Sequence, residues 1–574
     1  MFSVDTHLLD PFQRRWVGYA VVMVRPLSRR TFISAAATGG VGIALARNAR
    51  SQAQPADALP SPDAITMTDP ALLSAVEAAS LLQSGQLAPR ELLDACLARS
   101  RALDGDIGAW VRIYPDVAYA AADAAGERLS QRATNDQGPA PLVCGLPIAL
   151  KDIYAVTGLP LTASSRVLEG NIAAGNSGVW NRLEQAGMVL LGHAHTHEFA
   201  IGVTTPQVGN PWNTAFSPGG SSGGSAAVVS ARFAPLATGS DTGGSLRIPA
   251  SVCGVSSIKP TYGVCSTAGM IPLVWTRDHA GPLARSLADA SLLLRYMAGV
   301  DEADPTTRAA PNSMYPLAAT GNPQALAGTR IGVPHNVFDN MSPAIATLMT
   351  TALDTARALG AEVVDVQMPP YPSSLLLGDQ CEMGAYHRQF ADRFDKYSPS
   401  SAVTVGIATA ALVTPVADYI GFEHDRMRYQ RDYNRMFADN AISALFVPGT
   451  VTDGIARAPG GPLGVLENPM ADVRWANYTG APVATIPVGR SSASGMPFGI
   501  QIGGLPWTDV DVIQLGLEMQ ASLGVWQDEP PIVSALRDIP AFGRTGPGVG
   551  PDATGTSLAS TPLGTLPTTA TNPV

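Results

Sequence analysis

Two glycine- and serine-rich loops, separated by a short apolar segment, constrain the fold of this chain more than any other feature. The first loop, residues 219–225, reads Gly-Gly-Ser-Ser-Gly-Gly-Ser, and the second, residues 239–249, reads Gly-Ser-Asp-Thr-Gly-Gly-Ser-Leu-Arg-Ile-Pro. The Ala/Val-rich stretch at residues 226–231 is predicted to be helical. Glycines allow close backbone approach and leave consecutive N–H groups pointing into one concavity. We therefore expect the two loops to form a site that can bind an oxyanion.

Other functions are compatible with a single loop of this kind. A phosphate-binding loop has the pattern Gly-x-x-x-x-Gly-Lys-Ser/Thr, and neither loop contains that lysine. Residues 219–223 also match the Gly-x-Ser-x-Gly nucleophile elbow of α/β-hydrolases, in which Ser221 would be the nucleophile of an esterase. An elbow follows a buried strand, whereas residues 213–218 are not strand-like. Nucleotide binding is not expected, and the elbow is kept as an alternative.

Short apolar runs alternate with helical segments along most of the chain. Residues 146–150, 188–191 and 363–366 have the pattern of buried strands. Residues 72–82 and 89–103 have the apolar spacing of helices. This alternation predicts an α/β fold. After about residue 540 almost no large apolar residue remains, so residues 541–574 are expected to form a disordered tail.

The chain is acidic once its basic N-terminal segment is set aside. Its formal net charge is −10, but the first 53 residues hold seven Arg and only two Asp, which leaves −15 on the remainder. Nucleic-acid binding needs clustered Lys and Arg against phosphates. No stretch reaches the roughly 18 consecutive apolar residues of a membrane helix. We expect neither a nucleic-acid partner nor stable membrane insertion.

Residues 1–53 have the pattern of an export signal. Arg29 and Arg30 precede a weakly apolar, Ala/Gly-rich run at residues 33–46, and residues 51–53 offer a small-x-small cleavage site. This pattern resembles a twin-arginine signal peptide, and an N-terminal helix of the fold is the alternative. We expect the segment to be removed, the mature protein to be periplasmic or secreted, and translation to begin at Met1 or Met23.

Lys151 is a further candidate residue because it ends the apolar run at residues 146–150. A buried strand would carry its amine into the protein interior, where desolvation disfavours the ammonium form. Holding a lysine neutral at pH 7 costs roughly 4–5 kcal/mol, at about 1.36 kcal/mol for each unit below a pKa of about 10.4. Considered alone, a lysine that extends from a strand end to solvent is the simpler interpretation.

Taken together, the segments resemble the amidase signature family. The residues that carry the resemblance are 145–152, the Ser221 loop, 241–250, 281–286 and 477–482. The likeness extends from about residue 71 to residue 531, and the ordered set of segments is highly specific. It implies an amidase domain at residues 71–540, built as a single large twisted mixed β-sheet covered by helices, after a linker at residues 54–70.

The resemblance also implies a Ser-Ser-Lys triad. Ser245 would be the nucleophile, Ser221 the bridging serine, held by a cis peptide bond, and Lys151 the base at the far end of the relay. Serine is a weak nucleophile until a base removes its proton, and a neutral lysine acting through a second hydroxyl can do so without histidine. The same relay can return the proton to the leaving nitrogen.

The remaining site residues carried over from the family surround the second loop. The oxyanion hole would consist of four backbone N–H groups, those of Thr242, Gly243, Gly244 and Ser245. Supporting roles are expected for Ser222, Asp241 and Arg247, the last two as an ion pair that holds the loop. The family implies no cofactor and no metal.

Three histidines depart from the family pattern. His193, His195 and His197 alternate along the chain, and two of them stand where the family more usually has Lys-Thr-Asn. Side chains at every second position of an extended segment share a face, so a metal site is an alternative to a polar strand end. We expect no metal, because the triad chemistry does not need one. The five scattered cysteines, Cys96, Cys144, Cys253, Cys265 and Cys381, are expected to be buried thiols.

The sequence thus predicts an exported amidase that converts a carboxamide to a carboxylic acid and ammonia or an amine, through an acyl-enzyme on Ser245. Esterase side activity is compatible with this chemistry. A non-catalytic or partner-dependent subunit of the amidotransferase type is the alternative. Such a subunit functions in the cytoplasm, so the export signal argues against this alternative. The expected partner is a small-molecule amide substrate. The sequence leaves undecided whether the chain forms a homodimer. Residues 381–394 and 422–437 are candidates for the walls of the substrate pocket.

Overall fold

The computed structural model describes residues 59–538, apart from residues 67–68, 132–139, 312–313, 336–338, 340 and 458–472. The predicted leader at residues 1–53 and the predicted tail at residues 541–574 lie outside the described residues. Within the predicted linker, Leu59 and Ile65 pack against the hydrophobic core.

One mixed sheet of eleven strands organises the described part of the chain. The strands are β1 (Trp110–Ile113), β2 (Pro147–Lys151), β3 (Val189–Ala194), β4 (Leu236–Asp241), β5 (Ser256–Lys259), β6 (His279–Ala284), β7 (Arg330–Pro334), β8 (Glu362–Val366), β9 (Ala444–Pro448), β10 (Val483–Arg490) and β11 (Pro497–Gly503). Their order across the sheet is β1-β3-β2-β4-β6-β5-β10-β11-β9-β7-β8. Strand β2 is parallel to β3 and β4, and β7 is parallel to β8 and β9, while the other pairs are antiparallel. The predicted α/β fold with one large mixed sheet is confirmed.

Helices connect and cover the strands. They are α1 (Ala75–Ser84), α2 (Pro89–Ile107), α3 (Pro115–Ser130), α4 (Gly178–Gln185), α5 (Gly223–Ser230), α6 (Arg247–Cys253), α7 (Leu287–Met297), α8 (Pro343–Ala358), α9 (Ser374–His387), α10 (Pro399–Ala410), α11 (Val416–Asp439), α12 (Trp475–Thr479), α13 (Asp509–Leu523) and α14 (Pro531–Ser534). Helices α5 and α6 pack on the central strands, and both are buried along their whole length. The apolar sequence between the two glycine-rich loops is therefore explained by complete burial.

The first two helices differ at their ends from the sequence prediction. Helix α1 begins at Ala75, because the Ser74 hydroxyl and the Glu77 carboxylate form a reciprocal capping box there. The predicted start at Leu72 was wrong, since residues 70–72 form a separate 3₁₀ turn. Helix α2 starts at Pro89 as predicted but continues four residues past Leu103, and it ends where Gly108 adopts a left-handed conformation.

No single helix in the described ranges is long and apolar enough to cross a membrane. By length and composition only, the segments Pro399–Val413 and Val416–Asp439 pass that criterion together, as a pair bent by 111°.

Candidate active site

The sheet brings Lys151 and Asp241 to the same edge. Lys151 is the last residue of β2, and Asp241 is the last residue of the parallel neighbour β4. Carboxyl ends of neighbouring parallel strands meet at one edge of a sheet, which is where ligands bind in open α/β folds. Ser221 and Ser222 directly precede helix α5, which packs against both strands. The candidate site lies where these four residues converge.

The Lys151 amine is completely buried among hydroxyl groups. Its Nζ lies 2.7 Å from Ser221 Oγ, 3.0 Å from Ser222 Oγ and 2.8 Å from Ser240 Oγ. Burial lowers the pKa of Lys151 from 10.5 to about 7, although the carboxylates of Asp278 and Asp241 act in the opposite direction. A lysine that extends to solvent is excluded, because the side chain has no exposed surface.

Residues outside the Ser221 loop fix its conformation. The Gly220–Ser221 peptide bond is cis, as the family resemblance implied. A Cβ atom at Gly220 would overlap the backbone of Thr204, so only glycine fits there. The Thr205 hydroxyl donates to Gly219 O at 2.9 Å, and His197 N–H donates to Ser221 O at 2.9 Å. The loop therefore presents the Ser221 hydroxyl to Lys151 in a fixed position.

Ser222 links the two glycine-rich loops. Its hydroxyl donates to Ser240 O and accepts from Ser240 N–H, both at 3.2 Å. Its backbone N–H donates to Ser245 O at 3.3 Å. Through these contacts Ser222 joins the first loop to the second, and its supporting role stays a prediction.

Ser245 lies beside the lysine cluster but is not hydrogen-bonded to it. The residue is 6% exposed, at the start of the turn that leads into α6. In the described part of the chain no hydrogen bond joins Ser245 Oγ to Ser221 or to Lys151. The structure thus brings Lys151 and Ser221 into contact, whereas Ser245 reaches the cluster through its backbone. Catalytic hydrogen bonds of ligand-free enzymes often tighten only when substrate is bound.

The structure corrects one part of the predicted oxyanion hole. Gly244 N–H donates to Asp241 Oδ1 at 2.8 Å, so this group is already engaged and four free N–H donors are not present. Leu246 N–H donates to Asp241 Oδ2 at 3.1 Å. The Asp241 carboxylate thereby fixes the turn from inside. The N–H groups of Thr242, Gly243 and Ser245 are the candidate donors that remain.

The expected ion pair between Asp241 and Arg247 is present and fully buried. Arg247 Nε lies 2.9 Å from Asp241 Oδ2, and neither side chain is exposed. Arg247 also donates to Asn477 Oδ1 at 2.8 Å and to Gln501 Oε1 at 2.7 Å. Burial by itself would raise the pKa of Asp241, but the Arg247 charge and hydrogen bonds hold it below the usual range. The pair fastens the second loop to strand β11 and helix α12.

Asp278 supports the same loop through Thr242. Its Oδ1 accepts from the Thr242 hydroxyl at 2.5 Å, and its carboxylate accepts from Leu273 N–H at 2.9 Å. Burial raises the pKa of Asp278 to about 6. The Thr242 side chain is therefore held by Asp278, while Asp241 holds the N–H groups of Gly244 and Leu246 in the same loop.

The three alternating histidines do not point to one centre. His193 contacts the Tyr114 hydroxyl and Tyr154 O, while His195 contacts the hydroxyl of Ser164. Burial lowers the pKa of both His193 and His197. Within the described ranges no group of three His, Cys, Asp or Glu side chains is placed to hold a metal ion. The five cysteines are free thiols, and all but Cys381 are buried.

Sequence reasoning missed four residues of the site: Ser240, Asp278, Asn477 and Gln501. Ser240 and Asn477 lie inside segments already singled out, so their polar side chains were visible but carried no assigned role. Asp278 has a weaker signal, since it lies three residues before the segment at residues 281–286. Gln501 reaches Arg247 only because α6 packs against β11, and no local pattern indicates that contact.

Fold and site together define a class of α/β proteins in which a buried lysine contacts serine hydroxyls beside a glycine-rich loop. The chain belongs to the amidase family, a family of enzymes that act on amides, and the family model matches residues 91–513. It is 34% identical to a glutamyl-tRNA(Gln) amidotransferase subunit of Chloroflexus aurantiacus over 495 residues, which cover 81% of this chain and 99% of the relative.

Comparison with solved structures also shows similarity to amidase-type proteins. A peptide amidase from Stenotrophomonas maltophilia has a TM-score of 0.68 and 28% identity, covering 80% of this chain and 98% of the amidase. A member of a vestigial protein complex, studied for the evolutionary origins of an s-triazine catabolic enzyme, has a TM-score of 0.69 and 32% identity, covering 78% and 98% of the two chains. The single large sheet with its helices is therefore the amidase signature fold.

Proposed function

We propose that this protein hydrolyses the C–N bond of a carboxamide through an acyl-enzyme on Ser245, which releases ammonia or an amine and then a carboxylic acid. The observation that carries the proposal is the buried contact of 2.7 Å between Lys151 Nζ and Ser221 Oγ, beside the second glycine-rich loop, which contains Ser245. With a pKa of about 7, Lys151 is partly neutral at neutral pH and can accept a proton.

The hydrogen bonds around Lys151 favour one direction of proton transfer. A neutral amine has two N–H donors and one lone pair. Because the Ser222 hydroxyl donates to Ser240 O, its oxygen is free to accept from the lysine. If Ser240 Oγ receives the second N–H, the lone pair faces Ser221. Lys151 is then oriented to remove the Ser221 proton.

In the proposed reaction, Lys151 accepts a proton through Ser221 in two steps, the acylation of Ser245 and the hydrolysis of the acyl-enzyme. Ser221 passes its proton to Lys151 and takes the proton of Ser245, whose Oγ attacks the amide carbon. The negative charge on the carbonyl oxygen is received by the N–H groups of Thr242, Gly243 and Ser245. When the C–N bond breaks, the relay returns the proton to the leaving nitrogen. Water then attacks the acyl carbon of the ester on Ser245 and gives its proton to the relay. As the bond from the acyl carbon to Ser245 Oγ breaks, the relay returns that proton to Ser245 Oγ and the acid is released.

Measurement of ammonia or amine released from amides of graded size tests this proposal. The purified chain should hydrolyse at least one of them, and the Ser245→Ala variant should hydrolyse none. Ser130→Ala removes an exposed hydroxyl at the end of α3 and should retain turnover, which makes it the matched control. Undiminished turnover by Ser245→Ala would contradict the proposal.

A partner-dependent amidotransferase component is the second candidate function. It is favoured by the 34% identity to a relative whose name describes one subunit of such an enzyme. In that case the isolated chain would show little turnover, and addition of the partner subunits would restore it. Turnover of an amide by the isolated chain favours the autonomous amidase.

We further propose that the mature chain is exported, on the strength of the Arg29-Arg30 pattern alone. Mass spectrometry of protein from the periplasm or medium should show a start close to Gln54. Export that continues after both arginines are replaced by lysine would contradict a twin-arginine signal.

A further inference from the structure

A short loop connects the predicted oxyanion hole to helix α9. Asp278, at one end of the loop, accepts from the Thr242 hydroxyl. Thr276, two residues earlier, donates to Glu382 of α9 through its N–H at 3.1 Å and its hydroxyl at 2.5 Å. Trp275 lies between these anchors and the buried Val274. Its backbone is thus fixed next to the site, although the residue is 48% exposed.

Helix α9 presents a second aromatic residue to Trp275. Tyr386 lies four residues after Glu382, so both residues lie on the helix face that meets the loop. The rings of Trp275 and Tyr386 are 6.1 Å apart between centroids and nearly perpendicular, at 80°. This edge-to-face geometry is a favourable arrangement for aromatic pairs. Tyr386 is only half-buried.

An aromatic cluster extends from Trp275 to the Ser221 loop, and its members are Trp275, Tyr386, His387, Phe390 and Phe199. The Phe199 ring lies 6.4 Å from Tyr386 and 4.8 Å from His387. Phe199 is two residues from His197, whose N–H donates to Ser221 O. The cluster is therefore attached to the Ser221 loop at one end and, through Trp275, to the Thr242 loop at the other.

Burial divides this cluster into an inner and an outer part. Phe199, His387 and Phe390 are buried, whereas Trp275 and Tyr386 keep exposed surface. Exposed aromatic rings beside a candidate active site are typical of a surface that binds the apolar part of a ligand. The cluster also includes residues of the 381–394 segment, where a pocket wall was expected.

We propose that Trp275 and Tyr386 bind an aromatic or bulky apolar group of the substrate, so that the preferred substrates are carboxamides that carry an aryl group on the acyl or the amine side. This inference rests on the proposed amide hydrolysis at Ser245. It assigns the two rings to substrate selection, and it leaves the chemistry of the triad unchanged.

The test compares amides with and without a ring. Phenylacetamide carries the ring on the acyl side, N-benzylacetamide carries it on the amine side, and acetamide has none. The wild type should show higher kcat/KM for at least one ring-bearing amide than for acetamide. Trp275→Ala should lower the ratio of that kcat/KM to the kcat/KM for acetamide about tenfold or more, through loss of apolar contact with the ring. An equal effect on all three amides, or none on the ring-bearing ones, would overturn the inference.

Two further variants separate substrate contact from folding. Trp275→Phe keeps a ring and should retain most of the preference. Trp507→Ala removes a tryptophan that is equally exposed, at 49%, and has no ring contact within the described residues, so it should leave the preference unchanged. Loss of the preference in Trp507→Ala would contradict the assignment to Trp275.

Binding without turnover distinguishes this inference from the proposed function. On the Ser245→Ala protein, ligand-observed NMR should detect phenylacetamide or N-benzylacetamide binding, weakened about tenfold by Trp275→Ala. That result would support the aromatic surface even if no amide were hydrolysed. Hydrolysis by the wild type with no effect of Trp275→Ala on binding would reject the surface and leave the amidase proposal intact.

Discussion

Replacement of Lys151 by methionine tests the electrostatics of the site. Methionine has similar length but no amine, so it fills the buried space and removes the base. If Lys151 is the base, kcat should fall by about 10³-fold or more at every pH. The three hydroxyl groups left without their partner should lower stability by an amount that does not depend on pH.

The pH-dependent part of the stability can be calculated from the lysine pKa. In the unfolded chain the pKa of Lys151 is the ordinary 10.5, and in the folded protein it is about 7. Between these values the unfolded state binds more protons, so the wild type gains stability as pH rises. The penalty for burying this lysine is about 5 kcal/mol at pH 6 and about 2 kcal/mol at pH 9, at about 1.36 kcal/mol for each pKa unit.

Urea unfolding of both proteins between pH 6 and pH 9 measures this difference. Lys151→Met lacks the titration, so its free energy of unfolding relative to wild type should fall by about 2–3 kcal/mol from pH 6 to pH 9. Lys259, whose pKa is also lowered to about 7 by burial, is present in both proteins and cancels in the comparison. Parallel stability curves would show that Lys151 is not desolvated, and they would refute the assignment of a neutral amine.

Three further changes test the support of the site. Asp241→Asn should lower the free energy of unfolding in urea by about 3–5 kcal/mol, because it leaves the buried Arg247 without its counter-ion. Ser240→Ala should lower kcat about tenfold and shift the midpoint of the pH–rate profile to lower pH, because the Lys151 ammonium loses a hydrogen-bond acceptor. EDTA should leave turnover unchanged, because the proposed relay supplies nucleophile, base and proton return.

Each of these predictions has a contradicting outcome. The exposed pair between Arg90 and Asp123 is the control for Asp241→Asn, and Asp123→Asn should leave unfolding unchanged. Equal effects of the two substitutions would contradict a structural role for the buried pair. An unshifted pH–rate midpoint in Ser240→Ala would separate Ser240 from the base. Loss of turnover in EDTA that zinc restores would require a metal site.

The sequence predicted the parts of the molecule that have local patterns. The apolar run before Lys151 indicated a buried strand, and the glycine-rich loops indicated close backbone approach, which Gly220 shows against Thr204. The start of α1 was wrong because the capping pair of Ser74 and Glu77 outweighs the apolar spacing that begins at Leu72.

Long-range contacts were beyond sequence reasoning. The side chains of Arg247 and Gln501 are 254 residues apart in the chain and meet only after the sheet has formed. The use of Gly244 N–H by Asp241 depends on how the turn closes, whereas the family resemblance implied four donors without regard to that contact. Local signals thus predict which residue types form the site, whereas the topology decides which of their groups are already engaged.

Peptide mapping after treatment with an activated phosphonate or sulfonyl fluoride is the most direct test of the central claim. We predict covalent label on Ser245, with Ser245→Ala losing both label and turnover. Ser221→Ala should turn over substrate much more slowly yet still be labelled slowly on Ser245, because loss of the relay weakens the nucleophile without removing it. Label on Ser221, together with an active Ser245→Ala variant, would contradict the proposed triad and favour the nucleophile-elbow mechanism.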